Sequence, residues 1–245
     1  MIFNYIELPE AASTNSVAAS GDFVSGSVLF TLHQSAGRGC GTNKWECEPG
    51  KNIAMTMVLG DLGVAVERQF AISMAVALGC FDYVSQYVPD CKVKWPNDIY
   101  VGDRKIAGIL IEHSLSGATL SRSLCGIGLN VNQERFFSDA PNPVSLIQLT
   151  GVQYDVRLEL RKLVKAIDRR LDCVKDFNLL RSEFILHLYR GEGVYEWRDG
   201  TGEFRASVHG IDDFGRLQLV HLDGSIHSYG FKEIRYIGAP NSFDH

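Results

Sequence analysis

The spacing of apolar residues predicts three helices in this chain. Apolar side chains recur at intervals of three and four from Leu160 to Val174, the pattern of an amphipathic helix over about residues 156–177. A second helix is expected to follow and to end near Arg190. Residues 67–86 are rich in Ala, Met and Leu, which predicts a helix buried on most sides.

Strand-like apolar runs alternate with these helices, over residues 28–34, 52–59, 92–101, 105–115 and 123–132. Gly102-Asp103-Arg104 is a short connection between two of the runs, which favours antiparallel pairing. We therefore predict an α+β fold with a mixed sheet and packed helices, and not a doubly wound parallel sheet.

The pattern changes at Gly191, after which short strands follow one another with Gly and Asp turns and no helical period. This predicts two domains, residues 1–190 and a small β-barrel over residues 191–245. Residues 191–245 hold five basic and nine acidic side chains. An acidic barrel is a poor candidate for binding nucleic acid.

The composition is that of a globular protein, with 45% hydrophobic and 22% charged residues and a formal net charge of −5. The longest apolar stretch, Phe70 to Phe81, has 12 residues, against the roughly 20 that a membrane span needs. No basic residue precedes Arg38, so no secretory signal is predicted. Six cysteines without a C-x-x-C pair indicate no metal site and a reducing cytoplasm.

A glycine-rich segment from Gln34 to Trp45 is the first candidate for chemistry. Gly37 and Gly39 flank Arg38, and Cys40 follows them. Glycines let backbone amides approach a ligand closely, so this loop is able to cradle an anion. The same composition is also typical of a mobile surface loop.

Two lysine-containing segments follow. Lys94-Trp95-Pro96-Asn97-Asp98 is a polar break within a strand-like run. It indicates either a bulge or edge-strand kink in which Asn97 and Asp98 bond their own backbone, or a kink that aims their side chains into a pocket. Lys105 opens the next apolar run, three residues before Gly108. A lysine there is either solvated at a strand end or catalytic.

Two further segments have weaker signals. Gly126 and Gly128 precede Asn130 in a strand-like run, which is consistent with a ligand or another backbone passing close by. Ser13-Thr14-Asn15 precedes an Ala-rich stretch and is a helix N-cap pattern, although hydroxyls there also hold polar ligand groups.

In this order and spacing, the segments resemble those of the biotin protein ligases. The pair K-W-P-N-D and K-x-A-G-I-L, at residues 94–98 and 105–110, is the most specific part of the resemblance. It implies a catalytic domain of the class II synthetase and lipoate-ligase type followed by an SH3-like barrel. It also implies the substrates: biotin and ATP with Mg²⁺ form biotinyl-5′-AMP, and a lysine of a biotin carboxyl carrier protein then takes the biotinyl group.

The resemblance also implies residue roles. Arg38 and Lys105 would hold the biotin carboxylate against the α-phosphate, and Asp98 would orient the incoming lysine or act with magnesium. It also implies hydrogen bonds to the biotin ring system from Ser13, Thr14 and Gln34, room for biotin at Gly108, Gly126 and Gly128, and a place near the nucleotide for Trp45, Lys94, Asn97 and Asn130. The further binding residues that it implies are Asn15, Gly37, Gly39 and Cys40.

The loop departs from the family at Cys40, Gly41, Thr42 and Asn43, where basic residues are usual. We expect it to hold the adenylate less firmly. The motifs begin at Ser13, so we expect a ligase with no DNA-binding domain and no direct operator binding. The sequence does not decide whether the protein is a homodimer. It also leaves two alternative functions: a lipoate or octanoyl ligase or transferase of the same fold, and a non-catalytic biotin binder.

Overall fold

The structure is a computed structural model that describes residues 1–41, 43–138, 140 and 142–237. The first nine strands are β1 (Asn4–Leu8), β2 (Ser27–Thr31), β3 (Gly37–Arg38), β4 (Lys44–Trp45), β5 (Ile53–Leu59), β6 (Cys91–Lys94), β7 (Asp98–Val101), β8 (Arg104–Ser116) and β9 (Thr119–Leu129). Seven of them form one sheet in the order β1-β2-β5-β9-β8-β7-β6. Only the β1–β2 pair of this sheet is parallel, so the predicted mixed sheet is confirmed.

Five α-helices accompany this sheet: α1 (Thr14–Ser20), α2 (Phe70–Val84), α3 (Leu146–Thr150), α4 (Val156–Leu171) and α5 (Phe177–Leu186). Helix α4 begins where the periodicity predicts, because the Asp155 side chain accepts hydrogen bonds from two backbone N–H groups of its first turn. It ends at Leu171, before the predicted Phe177. Val174 is buried outside the helix, so the apolar pattern extends beyond the helical hydrogen bonding.

The predicted strand over residues 92–101 is wrong as a single element. It is a hairpin of β6 and β7, in which Lys94 pairs with Asp98. The turn between them contains Trp95, Pro96 and Asn97, so the polar break in the run marks a reversal of the chain and not a kink.

The C-terminal part forms a second, antiparallel sheet. Its strands are β10 (Val194–Arg198), β11 (Glu203–Ile211), β12 (Leu217–His221), β13 (Ile226–Tyr229) and β14 (Arg235–Tyr236). They lie in the order β13-β12-β11-β10-β14. The predicted boundary at residue 190 falls between α5 and β10, and one hydrophobic core includes buried residues from both sides of it. Within the described residues, no helix has the length and apolar character that crossing a membrane requires.

The turn between β11 and β12 fixes the second sheet to the first. Asp213 accepts hydrogen bonds from the guanidinium groups of Arg68 and Arg181, each at 3.1 Å. The indole N–H of Trp95 donates to the carbonyl of Gly215 at 2.9 Å. The hairpin turn that contains Trp95 is therefore held by the C-terminal part of the chain.

Helices α2 and α4 approach each other closely at Gly79. A Cβ atom on Gly79 would stand 2.5 Å from the Cα atom of Ile167, so any side chain there forces the two helices apart. The apolar composition of α2 predicts its burial, and 11 of its 15 residues are buried. The absence of a side chain at Gly79 is what allows this contact.

We predict that Gly79→Ala lowers the free energy of unfolding by about 1–3 kcal/mol, because overpacking outweighs the roughly 1 kcal/mol that Ala gains over Gly in a helix. Urea unfolding followed by circular dichroism measures this. Gly200→Ala is the control, since nothing lies within 4 Å of a Cβ atom at Gly200. A more stable Gly79→Ala protein would contradict the prediction.

Candidate active site

A cavity of about 580 Å³ lies over the face of the first sheet and is closed in part by the second. Fifteen of the seventeen predicted site residues line it: Ser13, Thr14, Asn15, Gln34, Arg38, Gly39, Cys40, Trp45, Lys94, Asn97, Asp98, Lys105, Gly108, Gly126 and Gly128. These residues come from five separate segments of the sequence. The fold therefore brings the predicted segments to one place.

One end of the cavity is a network of hydrogen bonds around the start of α1. The backbone N–H of Thr14 donates to Oε1 of Gln34 at 3.1 Å. The Thr56 hydroxyl donates to Oδ1 of Asn15 at 2.6 Å, and its oxygen lies 2.8 Å from the Thr14 hydroxyl oxygen. Ser13 occupies the N-cap position of α1 without a side-chain capping bond, so its hydroxyl is not used as the N-cap pattern suggests.

Arg38 lies on the short strand β3 at the mouth of the cavity. Its Nη2 atom is 3.3 Å from Oε1 of Glu112, and its Nη1 donates to the Ser16 hydroxyl at 3.5 Å. The side chains of Arg38 and Glu112 are 52% and 38% exposed. An ion pair this exposed contributes about 0–1 kcal/mol, so the guanidinium is easily released to another anion.

Lys105 and Asp98 form the second ion pair of the site. The Lys105 ammonium is 2.7 Å from Oδ1 of Asp98, and both side chains are partly buried. The two residues lie on the neighbouring strands β7 and β8, which fixes their separation. The ammonium also lies 5.7 Å from the Trp45 ring centroid.

Lys94 is held by tyrosines from both parts of the chain. Its ammonium donates to the Tyr100 hydroxyl at 2.9 Å and lies 4.4 Å from the Tyr100 ring centroid. It is 5.0 Å from the ring of Tyr236 on β14 and 5.8 Å from that of Tyr189. Burial lowers the pKa of the Lys94 ammonium, against an opposing attraction from Asp98. This arrangement directs a positive charge into the cavity.

The glycines on β8 and β9 leave room for side chains of the protein itself. A Cβ atom on Gly126 would stand 2.2 Å from Oδ1 of Asn15, and one on Gly128 would stand 2.3 Å from Cε2 of Trp45. Gly108 pairs with Gly128 across the two strands, and the indole of Trp45 extends over both. The Trp45 indole nitrogen is buried and has no hydrogen-bond partner among the described residues.

Two predicted residues are absent from the cavity lining in the described part of the chain. A Cβ atom on Gly37 would stand 2.4 Å from the carbonyl oxygen of Trp45, so Gly37 allows β3 and β4 to pair. Asn130 is buried beneath the sheet surface, where its amide nitrogen donates to the carbonyl of Val144 at 3.0 Å. Asn97 also has a structural contact, since its amide donates to the carbonyl of Ile109 at 2.6 Å.

Several lining residues were not predicted from the sequence. The segment before and within β14 contributes Phe231, Lys232, Ile234, Arg235 and Tyr236. A Cβ atom on Gly41 would stand 2.3 Å from the Lys232 ammonium, so this cation lies beside the glycine loop. Thr56 and Glu112 do not line the cavity, but they form hydrogen bonds or an ion pair with residues that do. Thr56 gives a signal in the sequence, as a polar residue within an apolar run, whereas Glu112 gives none.

The cavity is rich in cations and poor in carboxylates. Asp98 is the one carboxylate among the lining residues that the structure describes. No group of three or more His, Cys, Asp or Glu side chains within the described ranges has the geometry to hold a metal ion. The donor set suits Mg²⁺ that arrives on a polyphosphate, because such Mg²⁺ uses only one or two protein carboxylates.

Comparison with known proteins identifies the class. Residues 10–130 match the model of the biotin/lipoate A/B protein ligase family. The solved structure titled biotin protein ligase from Aquifex aeolicus in complex with biotin and ATP has the same fold, with a TM-score of 0.79 and 24% identity over 95% of this chain and 99% of that chain. The fold is therefore that of the biotin and lipoate protein ligases.

Comparison with individual relatives shows which family within this class the chain belongs to. The biotin–[acetyl-CoA-carboxylase] ligase of Paracoccus denitrificans is 33% identical over 202 residues, which is 78% of this chain and 82% of that protein. The bifunctional ligase/repressor BirA of Escherichia coli is 27% identical over 230 residues, 89% of this chain and 70% of that protein. The chain belongs to the biotin protein ligase family, as its motifs predict.

We predict that Gly128→Ala displaces the Trp45 indole, because the added Cβ atom and the ring cannot occupy the same space. Acrylamide quenching of tryptophan fluorescence is expected to increase, since Trp95 and Trp197 are buried and contribute little to it. Gly200→Ala is again the control. Equal quenching in parent and Gly128→Ala would show that the indole does not lie against β9.

Proposed function

We propose that this protein is a biotin protein ligase that uses ATP and Mg²⁺ to form biotinyl-5′-AMP and transfers biotin to a lysine of a biotin carboxyl carrier domain. The observation that carries the proposal is the convergence of Arg38, Lys105 and Lys94 on the cavity that the polar residues of α1 also line. A cavity of about 580 Å³ lies within the usual range of small-ligand pockets, about 300–1,000 Å³.

The first step joins two anions, which makes charge compensation the main task. A carboxylate about 4 Å from one phosphate charge costs about 4 kcal/mol at an effective dielectric constant near 20, or roughly a thousandfold in rate. Arg38 and Lys105 offset this repulsion and hold the carboxylate oxygen in line with the α-phosphorus. The oxygen attacks phosphorus, the bond to the pyrophosphate oxygen breaks, and pyrophosphate leaves with the electron pair.

Ion pairs hold both cations at the cavity for this step. Lys105 is held by Asp98 on the neighbouring strand, and Arg38 by Glu112. Lys94 is surrounded by tyrosines and makes no ion pair among the described residues, although Asp98 attracts it, so its charge is available to the nucleotide phosphates. Asp98, the one carboxylate among the described lining residues, would hold magnesium supplied with the nucleotide, and the ion would neutralise phosphate charge.

In the second step the amine of the acceptor lysine attacks the carbonyl carbon of the adenylate. A C–N bond forms, the C–O bond to AMP breaks with its electron pair leaving on AMP, and the nitrogen loses a proton to solvent. Asp98 orients this amine once Lys105 is occupied by phosphate. The acceptor is a carrier domain of a biotin-dependent carboxylase in the cytoplasm.

We predict that the parent catalyses exchange of pyrophosphate into ATP that depends on biotin, and that Lys105→Ala lowers the exchange rate by about a hundredfold or more. Lys165→Ala, which changes an exposed lysine of α4, is expected to match the parent. Exchange driven by lipoate would instead support the lipoate enzyme. No exchange in a parent that binds biotin would support the non-catalytic binder.

Transfer is tested separately by mass spectrometry of an apo carrier domain after incubation with the protein, biotin and MgATP. A mass increase of one biotinyl group on a single lysine is the expected result. Carrier left unmodified by a protein that carries out the exchange reaction would limit the activity to adenylation.

We predict that the parent releases free biotinyl-5′-AMP when no acceptor is present, because Cys40 and Asn43 replace cations of the loop. Lys232 supplies a charge beside Gly41 from a different segment, but the loop itself has only Arg38 and Lys44. Cys40→Arg is expected to reduce the release, as measured by chromatography of the filtrate. Undetectable release from the parent would contradict the prediction.

A further inference from the structure

Glu112 is the carboxylate that connects the glycine loop to helix α1. It lies on β8, two residues beyond the lining residue Leu110. Its Oε1 faces the guanidinium of Arg38 at 3.3 Å, and its Oε2 accepts a hydrogen bond from the amide of Asn15 at 3.0 Å. One carboxylate therefore binds a residue from each end of the proposed ligand site.

The two contacts of Glu112 differ in strength. Asn15 is 3% exposed, and its amide also donates to the carbonyl of Leu110 at 3.2 Å and accepts from Thr56. This side of the carboxylate is fixed by a buried, fully bonded amide. The Arg38 side is exposed, so Glu112 stays in place when Arg38 leaves.

Few other contacts hold Arg38. Among the described residues, the two-residue strand β3 pairs with β4 alone, which is part of the same loop. The Ser16 hydroxyl lies at 3.5 Å, the outer limit of a hydrogen bond. Few contacts other than Glu112 therefore oppose a ligand anion that competes for the guanidinium of Arg38.

We propose that Glu112 is a positioning residue that serves as an exchangeable counterion for Arg38. It keeps the guanidinium at the mouth of the cavity, yields it to the phosphate of the adenylate, and competes for it while the adenylate is bound. This inference rests on the proposed function and adds to it the residue that sets how long the adenylate is retained. The competition acts on anionic ligands alone.

The test is the binding of a phosphodiester analogue of biotinyl-5′-AMP, measured by calorimetry and by its dissociation rate. We expect Glu112→Gln to lower the Kd and slow dissociation about two- to fivefold, the range for an exposed ion pair. Biotinol, which has no charge, is expected to bind equally to both proteins. Glu112→Gln keeps an oxygen that can accept from the Asn15 amide. Glu112→Asp, a second variant, keeps the negative charge and is expected to bind the analogue with a Kd within twofold of the parent's.

Two controls separate the counterion role from a general change of charge. Glu7→Gln removes a pair of similar exposure, Glu7 with Arg157, and is expected to leave the Kd unchanged. In an Arg38→Ala background, Glu112→Gln is expected to have no effect on the Kd. If Glu112→Gln lowers the Kd equally in that background, the effect comes from the change in net charge and not from Arg38, and the proposal is overturned.

The remaining outcomes distinguish this inference from the proposed function. A parent that does not bind the analogue would contradict the proposed function, and the counterion role with it. A parent that binds it with the same Kd and dissociation rate as Glu112→Gln would overturn the counterion role alone. Weaker binding by Glu112→Gln would also overturn it, because that result would mean that Glu112 supports the ligand contacts of Arg38.

Discussion

The close approach of side chains to the middle of the first sheet is the constraint on which the site depends. Gly126 and Gly128 on β9 and Gly108 on β8 have no side chains, so Asn15 and Trp45 pack directly onto the backbone. With larger residues at these positions, α1 and the loop would be displaced outward. Asn15 could then no longer reach both Thr56 and Glu112.

The charges of the site follow from that packing. Lys105 and Asp98 face each other because their strands are neighbours, whereas Arg38 reaches its carboxylate only because the loop lies over β8. One cation is therefore placed by the sheet and the other by the glycine-rich loop. A reaction between two anions benefits from this division, since one charge is preorganised while the other adjusts to the ligand.

Much of the fold follows from local patterns. The start of α4 is predicted because an amphipathic period begins directly after the capping residue Asp155. Strand β1 and helix α3 are not, because β1 is a five-residue edge strand with no fully buried position and α3 has only five residues. Residues 92–101 are predicted as one interrupted strand because Pro96, Asn97 and Asp98 suit a kink as well as a turn. The pairing of β6 with β7 shows that the chain reverses there.

The site divides in a similar way. Lys94, Asp98 and Lys105 are predictable because polar residues beside apolar runs need a reason to be there. Glu112 and Tyr236 are ordinary residues of their strands, and only the tertiary fold brings them to Arg38 and Lys94. The position of Trp45 is also predicted only in part. The resemblance places it near the nucleotide, whereas its packing on Gly108 and Gly128 is seen only in the fold.

The turn at residues 212–215 has a practical consequence for anyone who divides the chain near residue 190. The N-terminal fragment would lose the carboxylate that two guanidinium groups share, the acceptor of the Trp95 indole and the apolar surface against Phe70. Its hairpin of β6 and β7 would then lack support at the turn. The two sheets are better expressed as one polypeptide, and fragments produced separately are expected to aggregate through the newly exposed core.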